Sequence, residues 1–246
     1  MSRAVIQPLE RDDGFSHRIY AQLREALMRG RLHPGQRLVH RTLAAEFKVS
    51  PTPVREAVLR LAAESALIVD QRGVAFVPLL APETYTEILS LRLDLEGQAA
   101  AAAARKPDTA LADEFAAIHK RMQKARRAGD EDTLLAENEN FHFRIIAAAR
   151  MPVLADLVAN LWVRCGPALR YNIPHEEVEP DHPHLDFIAA VRAGSARRGR
   201  ESMVRDIEKG GAMILKALAD IKAQDEAKTA KSTIKGPHQR RKASPA

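Results

Sequence analysis

The run from Ser50 to Leu61, Ser-Pro-Thr-Pro-Val-Arg-Glu-Ala-Val-Leu-Arg-Leu, leaves the backbone little choice. Pro51 falls at a first helical position, where its missing N–H costs nothing, and Ser50 before it is a good N-cap residue. Pro53 is still inside the first turn, whose N–H groups have no intrahelical partner. Val54, Ala57, Val58 and Leu61 then form the i, i+3, i+4, i+7 stripe of a helix packed on one side. Thr52, Arg55, Leu59 and Arg60 are left on the exposed flanks. A helix that starts abruptly and presents Thr and Arg at its N-terminal end suits the major groove of DNA. There the first residues of a recognition helix meet base edges, and the arginine fork matches guanine O6 and N7.

The flanking residues supply the rest of a small domain. Phe15, Ile19, Leu23, Ala26 and Leu27 recur at helical spacing, and Gly30 ends that helix. Leu32 to Leu38 reads as a turn around Pro34-Gly35, and a short helix follows from Arg41 to Phe47 through Leu43, Ala44 and Phe47. After Leu67 the pattern becomes extended: Ile68-Val69, a polar turn Asp70-Gln71-Arg72-Gly73, then Val74 to Val77. That predicts a β-hairpin wing, with Arg72 placed to reach a minor groove or a phosphate. Pro78 and Pro82 mark a boundary, so the expectation is a flexible stretch over 1–14 and a winged helix-turn-helix over 15–78.

Charge agrees with a polyanionic partner. The chain carries a net +6, distributed as +4 over residues 1–80, −2 over 81–222 and +4 over 223–246. The last segment is basic and poor in large apolar groups, which predicts a disordered tail over 223–246. No apolar run reaches the roughly 20 residues of a membrane span, and the N-terminus lacks a signal-peptide pattern. The single cysteine, Cys165, lies near Trp162 and Leu169 and reads as core packing in a reducing, cytoplasmic setting.

Residues 37–77 resemble the winged helix of the GntR family, FadR subfamily. The resemblance rests on Arg37-Leu38, Arg41, Leu43-Ala44, Val49-Ser50, Thr52-Pro53-Val54-Arg55-Glu56-Ala57, Leu61 and Gly73-Val74-Ala75-Phe76-Val77. It implies that Arg41, Ser50, Thr52, Arg55 and Gly73 line the DNA face, with Arg72 beside them. Two positions depart from the family pattern. Pro51 stands where a base-contacting arginine is usual, so the operator does not carry over. Ser65 stands where a glycine usually closes the recognition helix.

From 83 to 222 the pattern is helical throughout, in segments near 83–105, 108–128, 131–149, 151–171, 182–193 and 195–222. Lys106-Pro107-Asp108, Gly129-Asp130, Met151-Pro152, the Pro-rich stretch from Ile173 to Pro183, and Gly194-Ser195 separate them. Short connections predict an antiparallel bundle. The expected fold is therefore mainly α: an N-terminal winged helix-turn-helix followed by an antiparallel all-α helical bundle. The bundle resembles the FCD effector-binding and dimerisation domain, in its VanR-like six-helix branch.

Asn138 and His142 are four residues apart and share a helical face. The resemblance implies a metal set made of these two with His184 and Asp206. Against the family pattern, Asn138 replaces an aspartate and Asp206 replaces a histidine. Two imidazoles and a carboxylate suit Zn, Ni, Mn or Fe, and the same groups suit a polar effector pocket. Arg92, Arg164 and Arg170 are candidate anchors for a small carboxylate effector, because a guanidinium grips a carboxylate bidentately. The expected function is a sequence-specific regulator, most often a repressor in this family, acting as a homodimer on a palindromic double-stranded operator. The rival is a metal-dependent hydrolase on His142, His184 and Asp206. No general base, nucleophile elbow, His-Glu-x-x-His or phosphate loop accompanies that cluster, so the expectation is a non-enzyme.

Overall fold

The computed structural model describes residues 14–173 and 182–234, which form two compact units. Among the described residues, one comprises 14–79 with 159–167, and the other 80–158 with 168–173 and 182–234. The expected flexible stretch, apart from Gly14, lies outside the described residues.

In the first unit, α1 (Gly14–Met28), α2 (His40–Phe47) and α3 (Pro51–Ala63) pack around Leu23, Leu27, Val54, Ala57, Val58 and Leu61, all buried. The stripe read in the sequence is thus the inward face of α3. Tyr20 of α1 donates its hydroxyl hydrogen bond to Glu64 Oε1 at 2.8 Å, and the Arg60 guanidinium sits 3.8 Å over the Tyr20 ring. Arg60 is thereby committed to holding α1 against α3.

The wing is one strand richer than expected. β2 (Ile68–Val69) and β3 (Ala75–Phe76) form the hairpin, and β1 (Arg37–Leu38) pairs antiparallel with the other edge of β3. The sequence reading placed Arg37-Leu38 in a turn, because two residues show no alternation to detect. Asp70 Oδ1 accepts from the backbone N–H of Arg72 at 2.9 Å and of Val74 at 2.8 Å. With Gly73 at φ 77°, this Asx turn fixes the wing tip.

Ser65 adopts φ 59°, so the left-handed conformation survives without the glycine. For an L-residue that conformation costs about 1–2 kcal/mol. Ser65→Gly is expected to raise the stability of the winged unit by about 1 kcal/mol, read as a higher urea midpoint. An unchanged or lower midpoint would show that the Ser65 side chain compensates for its backbone.

The second unit is the bundle: α4 (Pro82–Ala103), α5 (Thr109–Ala128), α6 (Glu131–Ala149), α8 (Pro183–Ala193) and α9 (Ala196–Ile234). α7 (Pro152–Cys165) continues into a 3₁₀ segment, Gly166–Asn172, where the sequence reading ran one helix to 171. Asp108 and Asp130 cap α5 and α6 by accepting from the N–H groups of Leu111 and Thr133. Gly129 and Gly194 close α5 and α8 at φ 66°. Phe115, Phe141 and Phe187 meet in the core with centroids 5.1–5.9 Å apart. α4 and α9 cross closely: a Cβ on Gly199 would lie 2.7 Å from that of Ala104 and 2.9 Å from the Ala100 oxygen. The expected disordered tail is corrected over 223–234, where α9 continues, because its Ala, Lys, Glu and Gln are strong helix formers. Residues 235–246 lie outside the described set. No helix among the described residues is long and apolar enough to cross a membrane.

Candidate functional site

Two groups of residues stand out. The first lies on α2, at the start of α3 and at the wing tip. Arg41, Ser50, Thr52, Arg55, Arg72 and Gly73 are all exposed. Among the described residues Arg41, Arg55 and Arg72 have no carboxylate partner, whereas Arg60 is engaged with Glu64 and Tyr20. Ser50 occupies the N-cap position of α3, yet its side chain makes no capping hydrogen bond. Pro51 and Pro53 explain this: each lacks an N–H, so few orphan donors remain to be capped. The hydroxyl and three guanidinium groups are left facing water, a donor set suited to phosphates and base edges.

The second group is buried in the bundle. Arg92 and Glu96 lie one turn apart on α4, with Arg92 Nε donating to Glu96 Oε1 at 2.5 Å. Glu96 Oε2 lies 2.7 Å from His142 Nδ1 on α6, and His142 Nε2 lies 3.2 Å from Asp206 Oδ2 on α9. Asp206 Oδ1 in turn lies 3.4 Å from His184 Nε2 on α8. Four helices thus contribute to one chain of polar groups, in which Arg92, Glu96, His142 and His184 are each at most 4% exposed.

The electrostatics follow from that chain. Burial pushes the Glu96 carboxyl up, but Arg92 and His142 outweigh it and hold it down at about 2. Burial pushes His142 down, but the Glu96 charge and the bonds to Asp206 and Glu96 raise it to about 9. His142 is therefore an imidazolium donating from both nitrogens. Asp206 stays well below the usual carboxylate range through its contacts with His184 and His142, against its burial. His184 is held neutral by burial, against the pull of Asp206. Two further histidines are kept neutral nearby. Burial, with His184 and Arg126, lowers His119 to about 4, and burial, with His184, lowers His182 to about 3.

His142, His184 and Asp206 each offer a ligand atom within 4.8 Å of the other two, so three of the four expected metal residues come together. The donor set fits a divalent metal, and Glu96 behind His142 Nδ1 is the carboxylate that such a ligand commonly has. A metal would have to displace the proton now on His142 Nε2. Asn138 stands beside them, in the wall of a small cavity with Tyr85, Arg92, His142, Asn172 and Asp206. That cavity measures about 30 Å³, room for no more than a few waters. A carboxylate effector needs it to open.

The three expected anchors are engaged differently. Arg92 lines the cavity but is already bound to Glu96. Arg170 is paired with Glu131 at 3.1 Å and Asp132 at 2.5 Å. Arg164 lies in the segment grouped with the winged unit, and its buried Nε has no hydrogen-bond partner among the described residues. Sequence reasoning missed Glu96, His119 and His182. Glu96 had a signal: it is a carboxylate one turn after Arg92, just ahead of the alanine run Ala99 to Ala104. His119 follows Phe115 by four residues, on the buried face of α5.

Comparison with known proteins bears on both groups. The FCD domain model matches residues 87–209, and the model for bacterial regulatory proteins of the gntR family matches residues 15–77. The HTH-type transcriptional regulator McbR of Escherichia coli (strain K12) is 33% identical over 178 residues, 70% of this chain and 79% of that protein. The solved structure of E. coli McbR/YncC is similar with a TM-score of 0.72 at 28% identity, covering 83% of this chain and 98% of that one. The gluconate operon transcriptional repressor of Bacillus subtilis (strain 168) is 30% identical over 131 residues, 53% of this chain and 54% of that protein. These matches are to regulators, and they give the hydrolase alternative no support.

Proposed function

Because this chain belongs to the GntR family of bacterial regulators and carries an FCD domain, we propose that it is an effector-controlled repressor that binds DNA as a homodimer. The carrying observation is the exposed, unpaired Arg41, Arg55 and Arg72 around the abrupt start of α3. A folded domain that leaves three guanidinium groups exposed and without carboxylate partners is prepared for an anionic partner. The repressor role draws on the printed name of the gluconate operon relative.

Arg55 acts as base reader and Arg72 as a backbone or minor-groove contact. Arg55→Ala is expected to weaken binding to the specific site by about 1–3 kcal/mol and to reduce discrimination against unrelated DNA. Arg72→Ala is expected to weaken all sequences evenly and to lower the salt dependence by about one counterion. Fluorescence anisotropy with the upstream DNA of the chain's own gene, at several salt concentrations, reads both. Intact specificity in Arg55→Ala would remove α3 from the major groove.

The homodimer follows from the geometry of recognition: one helix covers only a few base pairs, and a two-fold protein matches a palindromic site. Sedimentation of the full chain at micromolar concentration is expected to give a dimer, and a strict monomer would overturn this assembly. In the bundle, a small carboxylate effector enters beside Arg92 once the cavity opens. A divalent ion such as Zn, Ni or Mn on His142, His184 and Asp206, with Asn138 adjacent, would offer open positions to the effector's oxygens. Either ligand controls DNA affinity only by binding one of two states more tightly.

A further inference from the structure

His184 also belongs to a second cluster of ionisable side chains. His119 of α5, His182 at the N-cap of α8 and His184 in its first turn each bring one ring nitrogen within 4.8 Å of the other two. Their ring centroids lie 4.4–5.6 Å apart. Phe141 stacks on the face of His184 at 3.7 Å, which fixes the plane of that ring and leaves its nitrogen-bearing edges to interact.

Packing alone does not account for these rings. Among the described residues, His119 Nδ1 and His184 Nδ1 are buried without a hydrogen-bond partner, and His184 Nε2 has only the long 3.4 Å contact to Asp206 Oδ1. Buried polar nitrogens are ordinarily paired, and two unpaired in one place call for a ligand. His119 also has the supporting partner that a metal ligand usually has. Its Nε2 lies 3.1 Å from the Gln123 side-chain amide, whose Oε1 is itself buried and unpartnered. A half-turn of that amide would let Oε1 accept from Nε2–H, leaving the Nδ1 lone pair bare.

We propose that His119, His182 and His184 form a binding site for a borderline divalent cation of the zinc class, sharing only His184 with the His142–His184–Asp206 set. Three imidazoles hold such an ion and leave one position open to water or an anion. Asp206, 3.4 Å from His184 Nε2, supplies the nearest negative charge, while Arg126 opposes the cation. His182 now accepts the backbone N–H of His184 on its Nδ1 at 3.2 Å. Ligation through either nitrogen requires it to release that bond, so the ion and the α8 cap compete for one ring.

The test uses the full chain stripped of metal, titrated with Zn²⁺ against a chromophoric chelator. His142→Gln disables the other set and is expected to retain one Zn²⁺ per chain, and adding His119→Phe is expected to weaken that binding by about tenfold or more. His182→Gln, at a half-buried position in an otherwise unaltered chain, is expected to weaken the intense visible bands of bound tetrahedral Co²⁺. The proposal is overturned if His142→Gln folds and binds no Zn²⁺ while the unaltered chain does, an outcome that assigns the ion to the His142 set. It is equally overturned if neither His119→Phe nor His182→Gln changes the affinity or the Co²⁺ spectrum.

Discussion

Glu96→Ala is expected to destabilise the bundle by about 3–5 kcal/mol, the cost of removing one partner from a buried ion pair. Glu96 is 2% exposed and accepts from Arg92 at 2.5 Å and from His142 at 2.7 Å. Its loss leaves a guanidinium and an imidazolium close together in a low-dielectric interior. His142 can discharge by losing its proton, but Arg92 cannot. Glu96→Gln keeps the shape and one acceptor and is expected to lose somewhat less. The contrast is Glu114→Ala, which removes an exposed carboxylate 2.6 Å from Arg144 and is expected to cost no more than about 0.5 kcal/mol. Urea unfolding followed by helical circular dichroism measures all three. Equal losses at Glu96 and Glu114 would mean that the buried chain of charges is no more important than a surface pair.

The same contrast between local and distributed signals explains what the sequence revealed. The helix α3 was legible because its start, its stripe and its exposed flank lie within the segment Ser50 to Leu61, where local sterics decide the outcome. The bundle boundaries were legible for the same reason: Asp108, Gly129-Asp130 and Gly194 sit where caps are needed. β1 was not, since Arg37-Leu38 becomes a strand only by pairing with β3 far along the chain. The continuation of α9 past 222 was misjudged from charge, although alanine and long straight side chains favour a helix irrespective of charge.

In the bundle, periodicity placed Asn138 and His142 on one inward face, and the resemblance added His184 and Asp206. Neither revealed that His142 is flanked by carboxylates on both sides, because Glu96 and Asp206 come from helices distant in sequence. For Arg164 and Arg170 the sequence offers only a guanidinium able to grip a carboxylate, with no sign of its neighbours. Arg170 is instead spent on Glu131 and Asp132, near the start of α6. The fold was written mostly in local patterns, and the site in long-range juxtapositions that such patterns do not encode.

Stability is expected to peak near pH 6.5 and to fall on both sides, for separate reasons. On the alkaline side the cause is His142, which Arg92 faces through Glu96 and which Glu96 and Asp206 flank directly. Its folded value is raised from 6.5 to about 9, so its contribution is fully present below the unfolded value. That contribution is lost as pH rises through about 9. A shift of this size corresponds to a loss of about 3 kcal/mol, completed once the native ring has discharged. On the acid side His119 and His182 are lowered to about 4 and about 3. Below 6.5 the unfolded chain takes up protons there that the native state refuses, so stability declines toward those values. Glu96, held at about 2, adds to the loss from below its unfolded value near 4.5 down to about 2. Urea midpoints at pH 6.5 and 9.5 isolate the His142 effect when set beside His142→Gln, in which the alkaline decline should be greatly reduced. If the unaltered chain is as stable at pH 9.5 as at 6.5, His142 is not the buried cation that joins Glu96 to Asp206.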